Sequence, residues 1–124
     1  MYHPMTASFY ARTPAPAPRR IPTTADRARE AVLALGGGRG VVKSHVESAW
    51  AAITFSGTRH ELVLRFEGIE AVEAGELLIE RLPDHEFSIS GQLVADATVT
   101  KVEHVFGPVE WLEVTAVLLL LEES

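Results

Sequence analysis

The chain has 124 residues, 47% of them hydrophobic and 23% charged, a length for one domain and a composition too apolar for a wholly disordered polypeptide. It contains no cysteine, which excludes a disulfide framework and any thiolate-ligated zinc or iron–sulfur centre. The formal net charge is −6, but the charge is divided unevenly along the chain. No apolar run reaches the ~18 residues of a membrane helix.

In chain order, residues 1–22 hold five of the seven prolines. The run from Pro14 to Pro18 favours an extended polyproline conformation and removes backbone donors, so 1–22 reads as a proline-rich arm. Met5–Tyr10 within it has the character of a short edge strand. Residues 23–124 then form a single domain. No apolar core follows a basic start as in a secretory signal, and the expected location is the cytoplasm. Through Lys43 the chain carries seven cations against two anions, a net +5; the remainder carries four cations against fifteen anions, a net −11. Folding the arm onto the acidic body neutralises both. Nucleic-acid binding by the arm is disfavoured, because such a body repels phosphate within a screening length of about 8 Å.

The first element is a helix from Thr24 to Leu35. Thr23 and Asp26 have the spacing of a capping box, and Ala28, Ala31, Val32 and Leu35 form one apolar stripe. Gly36-Gly37-Gly38 ends it. The glycine cluster through Gly40 with Lys43-Ser44 is not a phosphate loop. Val42 stands where glycine should precede the lysine, and the loop follows a helix instead of opening one.

The hydrophobic period then changes to two. Val41–Val46 reads as a strand, and Trp50–Phe55 and His60–Glu67 read as a hairpin joined by Ser56-Gly57-Thr58-Arg59. Gly68–Leu82 is a second helix, with Ala71, Val72, Gly75, Leu78, Ile79 and Leu82 on one face and Pro83 as its stop. Glycine at position 75 costs about 1 kcal/mol against alanine in a helix, which points to close approach of the helix to a sheet. Ser90-Gly91 interrupts the next extended stretch and leaves Leu93–Val105 as a long strand. Phe106-Gly107-Pro108 turns the chain into a last strand, Trp111–Leu121. The order α-β-β(-β)-α-β-β predicts an α+β fold, an antiparallel sheet of four to six strands packed against two helices.

Candidate chemistry is sparse. The five histidines lack the short spacings that place two imidazoles on one metal, and no nucleophile elbow is present. No cofactor or metal is expected. His45 and Glu47 share a strand face, and a polar pocket would require strand ends to bring together His45, His60, His85 and Asp96. That set is the candidate for a small-molecule site or a hydrolase-like centre; the simpler reading is solvated histidines. Asp96 interrupts an apolar strand on the side taken to be shared with Val94 and Thr98.

Two features point to interaction instead of catalysis. Glu70, Glu73, Glu76 and Glu80 form an acidic ridge on the second helix, where like charges repel by a few tenths of a kcal/mol per pair. Such a ridge is simplest as a solvated face, and functionally it is a docking surface for a basic partner. The run Val114–Leu121 has no alternation, so both of its faces call for cover. Two short helices cover one face only. A homodimer, with Leu118 and Leu120 at the interface, covers the other; a curled sheet is the alternative. The overall expectation is a non-enzymatic interaction domain.

Overall fold

The computed structural model describes residues 21–123. The proposed strand at Met5–Tyr10, the proline run and the arm's Arg12, Arg19 and Arg20 lie outside the described residues. The elements are α1 (Thr24–Leu35), β1 (Val41–Ala51), β2 (Ser56–Glu67), α2 (Ile69–Arg81) with a 3₁₀ turn at Leu82–Asp84, β3 (Gln92–Val105) and β4 (Trp111–Glu122). They build an α+β fold with one antiparallel sheet in the order β1-β2-β4-β3.

Helix α1 begins as its sequence dictates. The Thr23 hydroxyl accepts from the Asp26 amide at 3.1 Å, and the Asp26 carboxylate accepts from the Thr23 amide at 3.0 Å. Two amide donors that a helix start would leave unpaired are thereby satisfied. Ala28 and Val32 are fully buried. The glycines after the helix take up positive φ at Gly37 and Gly38, and the Gly38 amide returns to the Leu33 carbonyl at 2.9 Å.

Register fixes the two faces of the sheet. Leu62, Leu64 and Phe66 on β2 and Leu112, Val114, Ala116, Leu118 and Leu120 on β4 form the core with Ala28 and Val32 of α1 and with Val72 and Leu78 of α2. Both helices therefore cover the same face. Gly75 permits this approach: a Cβ there would lie 2.7 Å from Leu112 Cδ2 and 2.8 Å from Phe66 Cδ1.

The first hairpin differs from the sequence expectation. Its turn is Ala52–Phe55, closed by the Ala52 amide on the Phe55 carbonyl at 2.8 Å; Ser56-Gly57-Thr58-Arg59 are strand residues. Gly57 has a packing role there, because a Cβ would fall 1.9 Å from the Leu120 carbonyl oxygen. Glycine inside a strand marks a close backbone approach as readily as a turn. Asp96 lies on the side of the sheet opposite the one its sequence context predicts. A register shift between Val94 and Asp96 puts Val94 opposite Leu120 on the helix side, while Asp96 pairs with Leu119 and shares the other face with Thr98. One inserted residue reverses the side chains that follow.

Gly75→Ala is expected to destabilise the protein. The helix gains about 1 kcal/mol of propensity, but a methyl forced between Leu112 and Phe66 costs about 1–3 kcal/mol. Urea denaturation should show a lower midpoint; a raised midpoint would mean that α2 can lift away from the sheet without loss.

Candidate functional site

The polar residues brought together inside the fold lie beneath α1. His60 pairs in register with Glu47 on β1 and Leu118 on β4, and its side chain is 0% exposed. His45, two residues before Glu47, points to the same side. The His45 Nε2–His60 Nδ1 distance is 2.9 Å, His60 Nε2 lies 2.7 Å from Thr58 Oγ1, and Arg29 Nη2 lies 3.2 Å from His45 Nδ1.

These contacts fix the direction of every proton. A guanidinium only donates, so His45 Nδ1 accepts from Arg29 and the His45 proton sits on Nε2. His45 Nε2–H donates to His60 Nδ1, which leaves the His60 proton on Nε2, donating to the Thr58 hydroxyl oxygen. Arg29 also reaches the Asp26 carboxylate at 3.4 Å, and Asp26 is the capping-box partner of the N-cap Thr23. A continuous chain of hydrogen bonds thus runs from the N-cap of α1, through Arg29 and both imidazoles, to β2.

Both histidines have their basicity lowered. For His45 the leading cause is burial, followed by the proximity of His60 and Arg29; Glu47 and Asp26 act in the opposite sense. For His60 the cause is burial, opposed by Glu47. Uncharged imidazoles are what the hydrogen-bond pattern requires, since each ring must accept at Nδ1. Among the described residues no buried side-chain nitrogen or oxygen lacks a partner. With both ring nitrogens of each histidine engaged, the chain is suited to holding α1 on the sheet.

The other expected members lie elsewhere. His85 follows the 3₁₀ turn, exposed, its ring edge-on to Phe87 at 4.6 Å between centroids; it borders an open cleft with Glu80, Arg81 and Asp84. Asp96 is exposed on the opposite face of the sheet from His45 and His60. The structure therefore joins His45 to His60 and leaves His85 and Asp96 apart. A pair that sequence reasoning missed closes the β3–β4 hairpin: His104 Nε2 lies 2.7 Å from Glu110 Oε2, with the His104 ring stacked on Phe106 at 4.0 Å. A histidine and a carboxylate flanking the turn Phe106-Gly107-Pro108 were its only signal. Among the described residues no cluster of three or more potential ligands could hold a metal ion.

The interaction residues divide similarly. Glu70, Glu73, Glu76 and Glu80 are exposed along α2, with Glu70 paired to Arg39 at 2.9 Å. Leu118 and Leu120 are fully buried under the helices and pack the core instead of facing a partner. The outward flank of β4 is the odd-numbered one. Register places Val46, Glu61, Val117 and Thr98 in one row, Ser48, Arg59, Leu119 and Asp96 in the next, and Trp50, Gly57, Leu121 and Leu93 in the third. Val117 and Leu121 are 8% exposed yet stand apart from the helix-covered core; their same-face neighbours shield them. Leu93, 56% exposed, is open on β3 beside Leu121, and Val46, 55% exposed, is open on β1 with Glu61 between it and Val117. Among the described residues no helix lies on this face.

Neither a family model nor a curated protein matches the chain. Its fold is similar to that of a chain in a solved structure described as the virion of a native gene transfer agent (GTA) particle. The TM-score is 0.55 at 11% identity, covering 79% of this chain and 91% of that one. This likeness concerns the fold alone. Among the described residues no helix is long and apolar enough to cross a membrane.

Thr58→Val tests the hydrogen-bond chain. It leaves the buried His60 Nε2–H without an acceptor, at a cost of about 1–3 kcal/mol. Chemical denaturation should show that loss; an unchanged midpoint would mean that the Thr58 hydroxyl does not accept from His60 Nε2–H.

Proposed function

We propose that this chain is a non-enzymatic assembly subunit of the cytoplasm that associates with further copies of itself, at least as a dimer, through the uncovered face of its sheet. The observation that carries this reading is the outward flank of β4. Val117, Leu119 and Leu121 run along the middle of a sheet whose helices lie on the other side, and the exposed Leu93 extends the apolar surface from Leu121 to the β3 edge. An apolar strip of Val117, Leu119, Leu121 and Leu93, flanked by Glu61 and Arg59 on β2 and by Asp96 on β3, has the make-up of a small protein interface.

Face-to-face association also suits the sheet's edges. Register shifts interrupt both outer strands, at Val42/Ser44 in β1 and at Val94/Asp96 and Val99/Lys101 in β3, and such bulges discourage edge-to-edge pairing. The related fold in a virion particle agrees with a subunit role. All seventeen acidic residues fall within 21–123 against eight cations, a net −9, so the ridge of Glu70, Glu73, Glu76 and Glu80 suits a basic protein partner far better than nucleic acid.

Leu119→Glu places a carboxylate at the centre of the outward patch, beside Arg59, without touching the helix-covered core. Light scattering at micromolar concentration should give an oligomer for the wild-type chain and a monomer of unchanged circular dichroism for the variant. A monomeric wild type, or a variant that still assembles, would overturn the reading.

A further inference from the structure

We propose that the hydrogen-bond chain from Thr23 to Thr58 is an acid-sensitive latch, holding α1 on the sheet while both imidazoles are neutral and releasing it when either takes up a second proton. The geometry leaves no tolerant site for that proton. A proton on His45 Nδ1 would confront the Arg29 Nη2 donor across 3.2 Å, and a proton on His60 Nδ1 would confront the His45 Nε2 donor across 2.9 Å. In each case an accepted hydrogen bond becomes two opposed donors, both on cations in the first case and one on a newly charged ring in the second. A buried, unpaired charge is costly, and the structure relieves it by opening.

The groups that act on the rings are few. Arg29 and Asp26 reach them from α1, Glu47 from β1 and the Thr58 hydroxyl from β2; β4 offers Leu118 and Leu120, and no charged group of α2 or β4 acts on either imidazole. Glu47 and Asp26 favour the cation, but burial and, at His45, Arg29 and His60 oppose it more strongly. The sign follows. Each ring is less basic in the closed protein than its ordinary value of 6.5, so the open state binds more protons. The latch is fully held above that value and weakens as pH falls through it.

The effect is local because of where the chain is anchored. Arg29 and the Thr23–Asp26 cap belong to α1, which adds only Ala28 and Val32 as buried residues. α2 packs separately, with Val72, Gly75 and Leu78 on the sheet beside Phe66 and Leu112, and its packing includes neither Arg29 nor the Thr23–Asp26 cap. Opening would uncover the inner side of β1 around Val42 and His45 and leave the outward sheet face unchanged. The latch is accordingly independent of the proposed self-association.

Amide hydrogen exchange of the full chain at pH 7.5 and 5.5, corrected for intrinsic rates, tests the latch together with ¹⁵N imidazole shifts. Both rings should be neutral Nε2–H tautomers at pH 7.5. At pH 5.5 the protection of Ala28–Leu35 should fall relative to β2 and β4 by up to about tenfold per histidine. His60→Gln, which can accept from His45 and donate to Thr58 without titrating, should reduce that fall. A charged ring or an Nδ1–H tautomer at pH 7.5 would overturn the proposal. So would pH-independent protection of α1, or an equal loss in the central strands. Should the variant fail to fold, the tautomers and the wild-type exchange pattern decide the matter alone.

Discussion

The pairing of β4 with both β2 and β3 is the constraint on which the molecule rests. β4 is interior to the sheet, it is apolar on both flanks, and its register with β2 runs without a break from Gly57↔Leu121 to Glu67↔Trp111. That register sends Leu112, Val114, Ala116, Leu118 and Leu120 to one side, where both helices pack. It sends Val117, Leu119 and Leu121 to the other. Helices on one face of an antiparallel sheet are an ordinary arrangement when the second face is polar. Here that face is apolar along its central strand, with Val117 and Leu121 only 8% exposed behind their same-face neighbours and Leu93 open beside Leu121.

The two faces do different work. Beneath α1 the sheet carries a saturated polar chain in which Thr23, Asp26, Arg29, His45, His60 and Thr58 hold a helix in place. Fully satisfied networks of this kind are rigid, and removing one member leaves the remainder unpaired. The outward face carries apolar side chains bordered by charge. At the far end from the apolar patch, Arg65 lies over the Trp111 ring at 4.0 Å and reaches Glu67 and Glu113. The outward face is therefore graded, greasy toward Leu121 and ion-paired toward Trp111.

Much of the fold was legible in the residues because the signals were local. The Thr23–Asp26 spacing gave the start of α1, the stripe from Ala71 to Leu82 gave the buried side of α2, and the glycine at 75 reported the approach of α2 to the sheet. The misplaced hairpin turn arose from Gly57, whose lack of a side chain serves the passage of the Leu120 carbonyl. The side taken by Asp96 was hidden because a bulge is an insertion in register, invisible to a count of alternating residues. His45 and His60 were legible as histidines but not as a pair. Their meeting depends on β1–β2 register, and the contribution of Arg29 depends on how α1 crosses β1. The run at Val114–Leu121 announced two apolar flanks correctly, yet it could not say which leucines the helices would take, and Leu118 and Leu120 went inward.

What lies against Val117, Leu119 and Leu121 in solution decides whether the outward sheet face is an interface. Isotope-filtered NOE spectroscopy on a mixture of ¹³C-methyl-labelled and unlabelled full-length chains reads this directly, because it reports only contacts between different copies. Cross-peaks from the methyls of these three residues, absent from those of Leu118 and Leu120, are the predicted result. Outward methyls that contact only water or residues of their own chain would contradict it.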